Sequence, residues 1–200
     1  MKYLVSLYAF GLLFGCGSNP KENPPKEIIK NTTPIEEVII EPVIKEPILP
    51  PGAVEANFIE GEVPLYAHVK YVDKKNGKTI IAFQDKKLPP ITISETYGAS
   101  LSSLRFDEFD RDLLLITTKL KDPIFNKYFL YIYKDGQWKK VVNGFSLHKS
   151  HVTDSLIPIR IDPENPNNLF RYYSVFDLDE TSELGYTWRL LSESIPIQNK

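Results

Sequence analysis

The chain has 200 residues, of which 42% are hydrophobic and 12% aromatic, and its formal net charge is -2 at pH 7. Acidic and basic residues nearly cancel and no lysine or arginine block stands out, so the composition argues against nucleic-acid binding. The tyrosines and phenylalanines concentrate in the second half of the chain, which favours strands over helices.

The first fifteen residues have the layout of a secretory signal. Lys2 supplies a short positive region, residues 4–14 form an apolar run, and the small residue Gly15 follows it. The run is roughly ten residues long, which is too short for the ~20 residues that span a hydrocarbon core. We therefore predict that residues 1–15 are a signal peptide; the alternative is a buried helix of the globular fold.

The next feature is the tetrapeptide Leu13-Phe14-Gly15-Cys16, which contains the only cysteine of the chain. It resembles the lipobox of bacterial lipoproteins, in which the cysteine thiol receives a diacylglyceryl group and a peptidase cuts before that residue. The resemblance implies that Cys16 is the lipid attachment site; the alternative is an ordinary free cysteine. A lipidated Cys16 excludes disulfides and cysteine-ligated metals.

The resemblance also implies a location. A protein lipidated at Cys16 belongs to the bacterial cell envelope, where its N-terminal lipid lies in a membrane. Gly17 follows the cysteine, whereas an aspartate at that position marks some lipoproteins of Gram-negative bacteria for inner-membrane retention. We therefore expect a lipid-anchored protein of the outer membrane.

Residues 16–53 are predicted to be a lipidated, proline-rich, extended tether. Each proline fixes φ, lacks an N–H group and biases the preceding residue toward extended geometry, so no helix of useful length fits. The prolines are Pro20, Pro24, Pro25, Pro34, Pro42, Pro47, Pro50 and Pro51. Residues 35–49 are unusually apolar for a linker. They are either a polyproline-like spacer or a segment that lies on the domain or on a partner.

Residues 54–200 are predicted to form one all-β domain of antiparallel strands and hairpins, since no sustained 3.6-residue apolar period appears. The dipeptides Asn76-Gly77 and Asp135-Gly136 each stand between two β-rich runs and predict hairpins. Pro158 interrupts one run and places it at a sheet edge. Residues 96–103 are rich in Gly and Ser and indicate a loop. The predicted strands are 65–72, 79–84, 91–94, 112–118, 128–133, 138–142, 156–161, 169–178 and 185–191.

Two aspartate-rich segments, 104–115 and 173–184, resemble worn copies of the FG-GAP-type repeat, an Asp-rich turn between two strands. The matching residues are Asp107, Asp110, Asp112 and Leu113 in the first segment and Asp177, Leu178, Asp179, Glu183 and Leu184 in the second. The chain has room for two or three such units, which implies a small sandwich or a partial, propeller-like stack of sheets. The resemblance implies binding rather than catalysis.

The second aspartate-rich turn is also a candidate calcium loop. Glu180 and Ser182 stand where related turns have glycine, and a non-glycine residue resists positive φ. We therefore expect side-chain-to-backbone hydrogen bonds to hold this turn, with calcium weak or absent. Asp177 and Asp179 could instead be the paired carboxylates of a glycosidase, although aspartate is common in turns as a cap.

His148 and His151 could bind a metal or act as a base, but they lie in an expected loop with no third ligand nearby in sequence. Serines lie close to them without the Gly-x-Ser-x-Gly elbow of a hydrolase. Two surface histidines are the plainer interpretation. We predict no catalytic residue, no metal ligand and no cofactor.

Aromatic and arginine residues lie on the last two predicted strands, where alternate members share one face. They could form a stacking face for a sugar or peptide, or they could pack across strands in the core. The residues are Arg171, Tyr172, Tyr173, Tyr186, Trp188 and Arg189. The first functional hypothesis is a non-catalytic binding or scaffold module for an envelope protein or glycan. The alternative is an envelope-acting hydrolase that uses a carboxylate pair.

Overall fold

A computed structural model describes residues 49–198 except 85 and 87. The predicted signal peptide, Cys16 and most of the predicted tether lie outside the described residues. Residues 49–53 form a turn, and the first strand begins at Val54. Among the described residues, none belongs to a helix that is long and apolar enough to cross a membrane.

The described part of the chain is all-β and antiparallel, as predicted, with one short 3-10 helix at Lys149–His151. The strands in chain order are β1 (Val54–Ala56), β2 (Leu65–Asp73), β3 (Lys78–Phe83), β4 (Ile91–Ser94), β5 (Ala99–Leu104), β6 (Leu113–Lys119), β7 (Phe125–Lys134), β8 (Gln137–His148), β9 (Ile159–Ile161), β10 (Asn168–Leu178) and β11 (Tyr186–Pro196).

The strands form three sheets that stack as layers. The first sheet has the order β1-β2-β3-β4, the middle sheet β5-β6-β7-β8 and the third sheet β11-β10-β9. Side chains alternate across β6, so that Leu114 and Ile116 pack toward the first sheet while Leu113 and Leu115 pack toward the third. The middle sheet is therefore covered on both faces, which explains why β6 begins with a continuous apolar run.

Both predicted hairpins are confirmed. Asp135 and Gly136 have φ values of 55° and 75°, which is the left-handed pair that a two-residue hairpin between β7 and β8 requires. Asn76 and Gly77 end the loop between β2 and β3, where Gly77 has φ 58°. The Asp73 carboxylate accepts the backbone N–H of Asn76 at 3.0 Å and closes this loop.

Three local predictions need correction. The expected loop at 96–103 contains β5, because its small residues pair with β6 from Ala99 opposite Thr118 to Leu104 opposite Leu113. β8 runs past the expected end at 142, so His148 ends a strand and does not lie in a loop. The strand expected at 156–161 is reduced to β9, which lies at a sheet edge as Pro158 predicts.

Candidate functional site

The antiparallel register of the middle sheet brings four strand termini together at one end of the sheet, along the direction of the strands. β5 begins, β6 ends, β7 begins and β8 ends there, because Lys119 pairs with Asn126 and Phe125 pairs with His148. The Tyr97 N–H donates to the Lys119 carbonyl at 2.8 Å and holds the connection between β4 and β5 at the same end. We call this end of the middle sheet the lysine end. Its defining residues are Lys74, Lys119, Lys121 and Lys149.

The opposite end of the middle sheet contains the β5–β6 loop and the Asp135-Gly136 turn. Carboxylates predominate among its charged side chains, and we call it the carboxylate end. Its acidic residues are Glu60, Glu62, Asp107, Glu108, Asp110, Asp112 and Asp135. The first aspartate-rich segment of the sequence lies here, while the second forms the connection between β10 and β11.

An aromatic cluster lies at the lysine end, between the middle and third sheets. The imidazole of His148 stacks on the indole of Trp188 with centroids 5.2 Å apart and an interplanar angle of 12°. Phe125 meets the same indole edge-on at 4.9 Å, and Phe176 does so at 5.5 Å. Tyr186 lies 4.8 Å from Phe176 and extends the cluster outward. Such tilted and offset ring pairs are favourable beyond the apolar area that they bury.

Ser174 joins the two histidines of this cluster. Its Oγ accepts the backbone N–H of His148 at 2.8 Å and lies 2.8 Å from His151 Nδ1. Because the Oγ already accepts one hydrogen bond, the Ser174 O–H can donate a second one to His151 Nδ1. His148 Nδ1 in turn lies 2.7 Å from the Ser150 hydroxyl. The structure thus gives each histidine a hydroxyl partner, which makes the pair a support for the aromatic cluster.

The hairpin of β10 and β11 has two unlike halves. At its base Leu169 is fully buried, and Tyr173 and Ile195 pack on the core between the middle and third sheets. At its tip, one face is apolar: Phe176, Leu178, Tyr186 and Leu190 are 37% to 79% exposed, and Trp188 beside them is half-buried. The pairs Phe176–Trp188 and Leu178–Tyr186 place these side chains on the same face. We call this the hairpin face: Phe176, Leu178, Tyr186, Trp188 and Leu190.

The six residues predicted as a stacking face or core therefore divide. Arg171 is structural, since it donates to Glu193 at 2.6 Å and to the Asn143 carbonyl at 3.0 Å. Tyr172 and Tyr173 pack against the core. Tyr186 and Trp188 belong to the hairpin face, where Tyr186 is exposed and Trp188 is half-buried against His148. Arg189 lies on the other face and donates to Asp177 at 2.6 Å.

The turn between β10 and β11 is held as predicted by side-chain hydrogen bonds. Asp179 Oδ1 accepts the Thr181 N–H at 3.0 Å and the Thr181 hydroxyl at 2.6 Å. These bonds favour the charged carboxylate and hold the pKa of Asp179 below its ordinary value. Asp177 is engaged by Arg189, so the two carboxylates have separate partners. Within the described part of the chain, no group of three His, Cys, Asp or Glu residues could hold a metal ion.

Sequence reasoning missed two residues of the aromatic cluster and its support, Ser174 and Phe125. Ser174 carried no signal except its place in the alternation of β10, two residues before Phe176 on the same face. Phe125 was left outside the predicted strand 128–133, although it begins β7. Both residues become visible only when the register between strands is known.

The two resemblances seen in the sequence rest on short motifs. The lipobox residues 13–16 lie outside the described residues, and each aspartate-rich segment connects two antiparallel strands. No protein-family model, curated protein or solved structure matches the chain. Function is therefore inferred from the geometry of the lysine end and the hairpin face.

Proposed function

We propose that this chain is a lipid-anchored protein of the bacterial cell envelope, in the outer membrane, whose β domain is a non-catalytic binding module for another envelope protein. Cys16 supplies the lipid attachment, on the strength of the lipobox resemblance. The single observation that carries the binding role is the hairpin face. Its apolar side chains project from a base that is anchored in the core, and contiguous exposed apolar surface of this kind is typical of interaction sites.

The composition of the hairpin face favours a protein partner. Leu178 is 79% exposed and Leu184, in the adjoining turn, is 70% exposed. Burying each such side chain contributes about 1.5–3 kcal/mol, and tyrosines such as Tyr186, which is 37% exposed, are enriched among the residues that dominate protein interfaces. Glu180 and Glu183 border the tip and make no ion pair within the described residues. The partner is therefore expected to present an apolar patch bordered by basic side chains.

The same geometry favours binding over hydrolysis. A glycosidase needs two carboxylates that face one another across the scissile bond, but Asp177 pairs with Arg189 while Asp179 caps its own turn. A serine nucleophile needs a histidine base that a third group orients. His151 contacts Ser174, and among the described residues no carboxylate hydrogen-bonds to this imidazole.

Crosslinking in intact cells tests the binding role. A photoreactive residue replaces Leu178 in the full chain, and a matched variant carries it at Tyr71, which is 57% exposed on the first sheet. We expect one discrete protein adduct at position 178 and none at 71, and we expect Glu180→Lys with Glu183→Lys to remove that adduct. Equal adducts at both positions, no adduct, or an adduct of two copies of this chain would contradict the proposal.

Lipidation has its own test. In the proposed protein Cys16→Ala abolishes incorporation of labelled palmitate and releases the chain from the membrane fraction, because one residue supplies the whole anchor. Cys16→Ser is a second variant that keeps the size of the side chain. Retention of label or of membrane fractionation in both variants would show that Cys16 is not the attachment site.

A further inference from the structure

A pocket of about 520 Å³ opens at the lysine end, apart from the hairpin face. Four lysines line it, and they come from separate connections: the β2–β3 loop, the end of β6, the β6–β7 loop and the segment after β8. The remaining lining residues are Tyr97, Leu120, Pro123, Phe125 and Asn126. We call this the lysine pocket. Its volume lies within the range of about 300–1,000 Å³ that is common for small-ligand sites.

The charge of the lysine pocket is uncompensated. All four lysines are exposed, and none forms an ion pair with a described carboxylate. No acidic residue lines the pocket, although the chain as a whole has a net charge of -2. Like charges that converge on one recess repel one another and raise the local concentration of anions. The fold therefore maintains an anion-attracting recess at this end.

Neutral groups in the pocket indicate what the anion is attached to. The Tyr97 phenol can donate and accept hydrogen bonds, and the Asn126 amide, which also interacts with Tyr128, has further donor and acceptor capacity, as recognition of hydroxyl groups requires. Phe125 contributes an aromatic ring, and this ring continues into the cluster through its 4.9 Å contact with Trp188. An aromatic ring packs against the C–H groups of a pyranose and leaves the hydroxyl groups free for polar partners.

We propose that the lysine pocket binds an acidic saccharide, one whose sugar units carry carboxylate or phosphate groups. The lysines bind the acidic groups, Tyr97 and Asn126 bind hydroxyls, and Phe125 supports the sugar ring. A recess suits a saccharide better than a flat lipid surface, which would touch only the rim. This inference does not rest on the proposed protein partner, because the hairpin face and the lysine pocket use different residues.

Binding of defined saccharides tests this site, with the full chain carrying Cys16→Ala so that no acyl group contributes. The probes are oligogalacturonate with its methyl ester, and phosphorylated dextran with plain dextran, measured by calorimetry. We expect at least one acidic probe to bind and both neutral probes to fail. Lys119→Gln, Lys121→Gln and Lys149→Gln together should weaken binding about tenfold or more, since charged hydrogen bonds are lost.

Two controls separate the pocket from general surface charge. Lys70→Gln, Lys86→Gln and Lys134→Gln remove the same charge away from the pocket and should change affinity by less than about twofold. Phe125→Leu keeps an apolar side chain and removes the ring. It should weaken binding of the acidic saccharide, whereas competition by inorganic phosphate for the pocket should be unchanged.

Three results would overturn the proposal. The first is that neither acidic probe binds, and the second is that both lysine triple variants lose affinity equally. The third uses phosphatidylglycerol vesicles in phosphatidylcholine: capture that depends on the pocket lysines, without saccharide binding, would assign the pocket to a lipid surface. Crosslinking at Leu178 is unaffected by any of these results, so failure of this inference is distinguishable from failure of the proposed function.

Discussion

The two ends of the middle sheet use charge in opposite ways. At the carboxylate end Arg111 donates to Asp110 at 2.6 Å and 2.9 Å and to the Tyr133 carbonyl at 2.9 Å, and it lies 3.5 Å from Glu60. At the lysine end no described carboxylate pairs with the four pocket lysines. Charge stabilises the fold at one end, and at the other end it is available to a ligand.

Pocket size does not distinguish the two ends. A pocket of about 490 Å³ at the carboxylate end is close in volume to the lysine pocket. Three of its four charged lining residues have partners, however: Asp110 binds Arg111, and Asp112 accepts the Asn57 N–H at 2.8 Å and lies 3.7 Å from Arg105. A ligand there would have to replace existing bonds. The difference in partners, rather than in volume, is the reason why the saccharide site is proposed at the lysine end.

Among these variants, Arg111→Ala should lower the free energy of unfolding most. The Arg111 side chain is only 14% exposed, and its loss removes charge-assisted bonds from the Tyr133 carbonyl and Asp110. We expect the free energy of unfolding to fall by about 2 kcal/mol, because hydrogen bonds to a charged group are lost. Thermal unfolding should show a melting temperature lower by roughly 4–8 °C for a domain of this size.

Lys121→Ala is the matched control at the lysine end. Its side chain is exposed and unpaired within the described residues, so the free energy of unfolding should change by less than about 0.5 kcal/mol. Equal destabilisation by Arg111→Ala and Lys121→Ala would mean that both ends contribute alike to stability, and the contrast between them would be lost.

A smaller effect is expected at the two hairpin glycines, one at each end. Both have positive φ, and a left-handed non-glycine residue costs about 1–2 kcal/mol. A Cβ at Gly136 would meet nothing within 4 Å, whereas a Cβ at Gly77 would lie 3.3 Å from the Tyr97 hydroxyl. Gly136→Ala should therefore cost about 1 kcal/mol and Gly77→Ala somewhat more, as denaturant unfolding can measure.

Gly77→Ala also sharpens the functional side of the comparison. Tyr97 must shift to admit the new methyl group, and Tyr97 lines the lysine pocket. We expect Gly77→Ala to weaken acidic saccharide binding and Gly136→Ala to leave it unchanged. If Gly136→Ala weakens binding and Gly77→Ala does not, Tyr97 makes no contribution to saccharide binding.

Local chemistry in the sequence was sufficient for much of the fold. The Asn76-Gly77 and Asp135-Gly136 dipeptides marked real hairpins, since few residues adopt positive φ without strain. Composition alone failed at β5, where Gly98 and three serines resembled a loop. Pairing with the apolar β6 gives this segment a strand that its own residues do not favour.

The site was less accessible to sequence reasoning. No lysine block stands out in the sequence, because the pocket lysines lie up to 75 positions apart, from Lys74 to Lys149. The register of β6, β7 and β8 brings Lys119, Lys121 and Lys149 to one end of the middle sheet, and the β2–β3 loop of the first sheet adds Lys74. His148 and Trp188 were both noted as candidates, yet nothing local indicated that they would stack.

The smallest expected effect is on acid stability, again at the carboxylate end. The hydrogen bond from Arg111 holds the pKa of Asp110 below its ordinary value of 3.8. A carboxylate with a lowered folded-state pKa adds stability above its unfolded pKa, and this stability is lost as the pH falls through the folded value. Because the Asp110 side chain is 50% exposed, the contribution should stay below about 1 kcal/mol.

Melting temperatures measured from about pH 7 down to about pH 3 test this contribution. The wild-type chain should lose stability below about pH 4, and Asp110→Asn should lose less over the same interval because it has no proton to bind there. Lys121→Gln should follow the wild-type curve, since a lysine does not titrate in this range. If Asp110→Asn and the wild type have parallel curves, Arg111 does not stabilise the charged form of Asp110. The ion pair would then be a surface contact like any other, and Arg111 would act through the Tyr133 carbonyl alone.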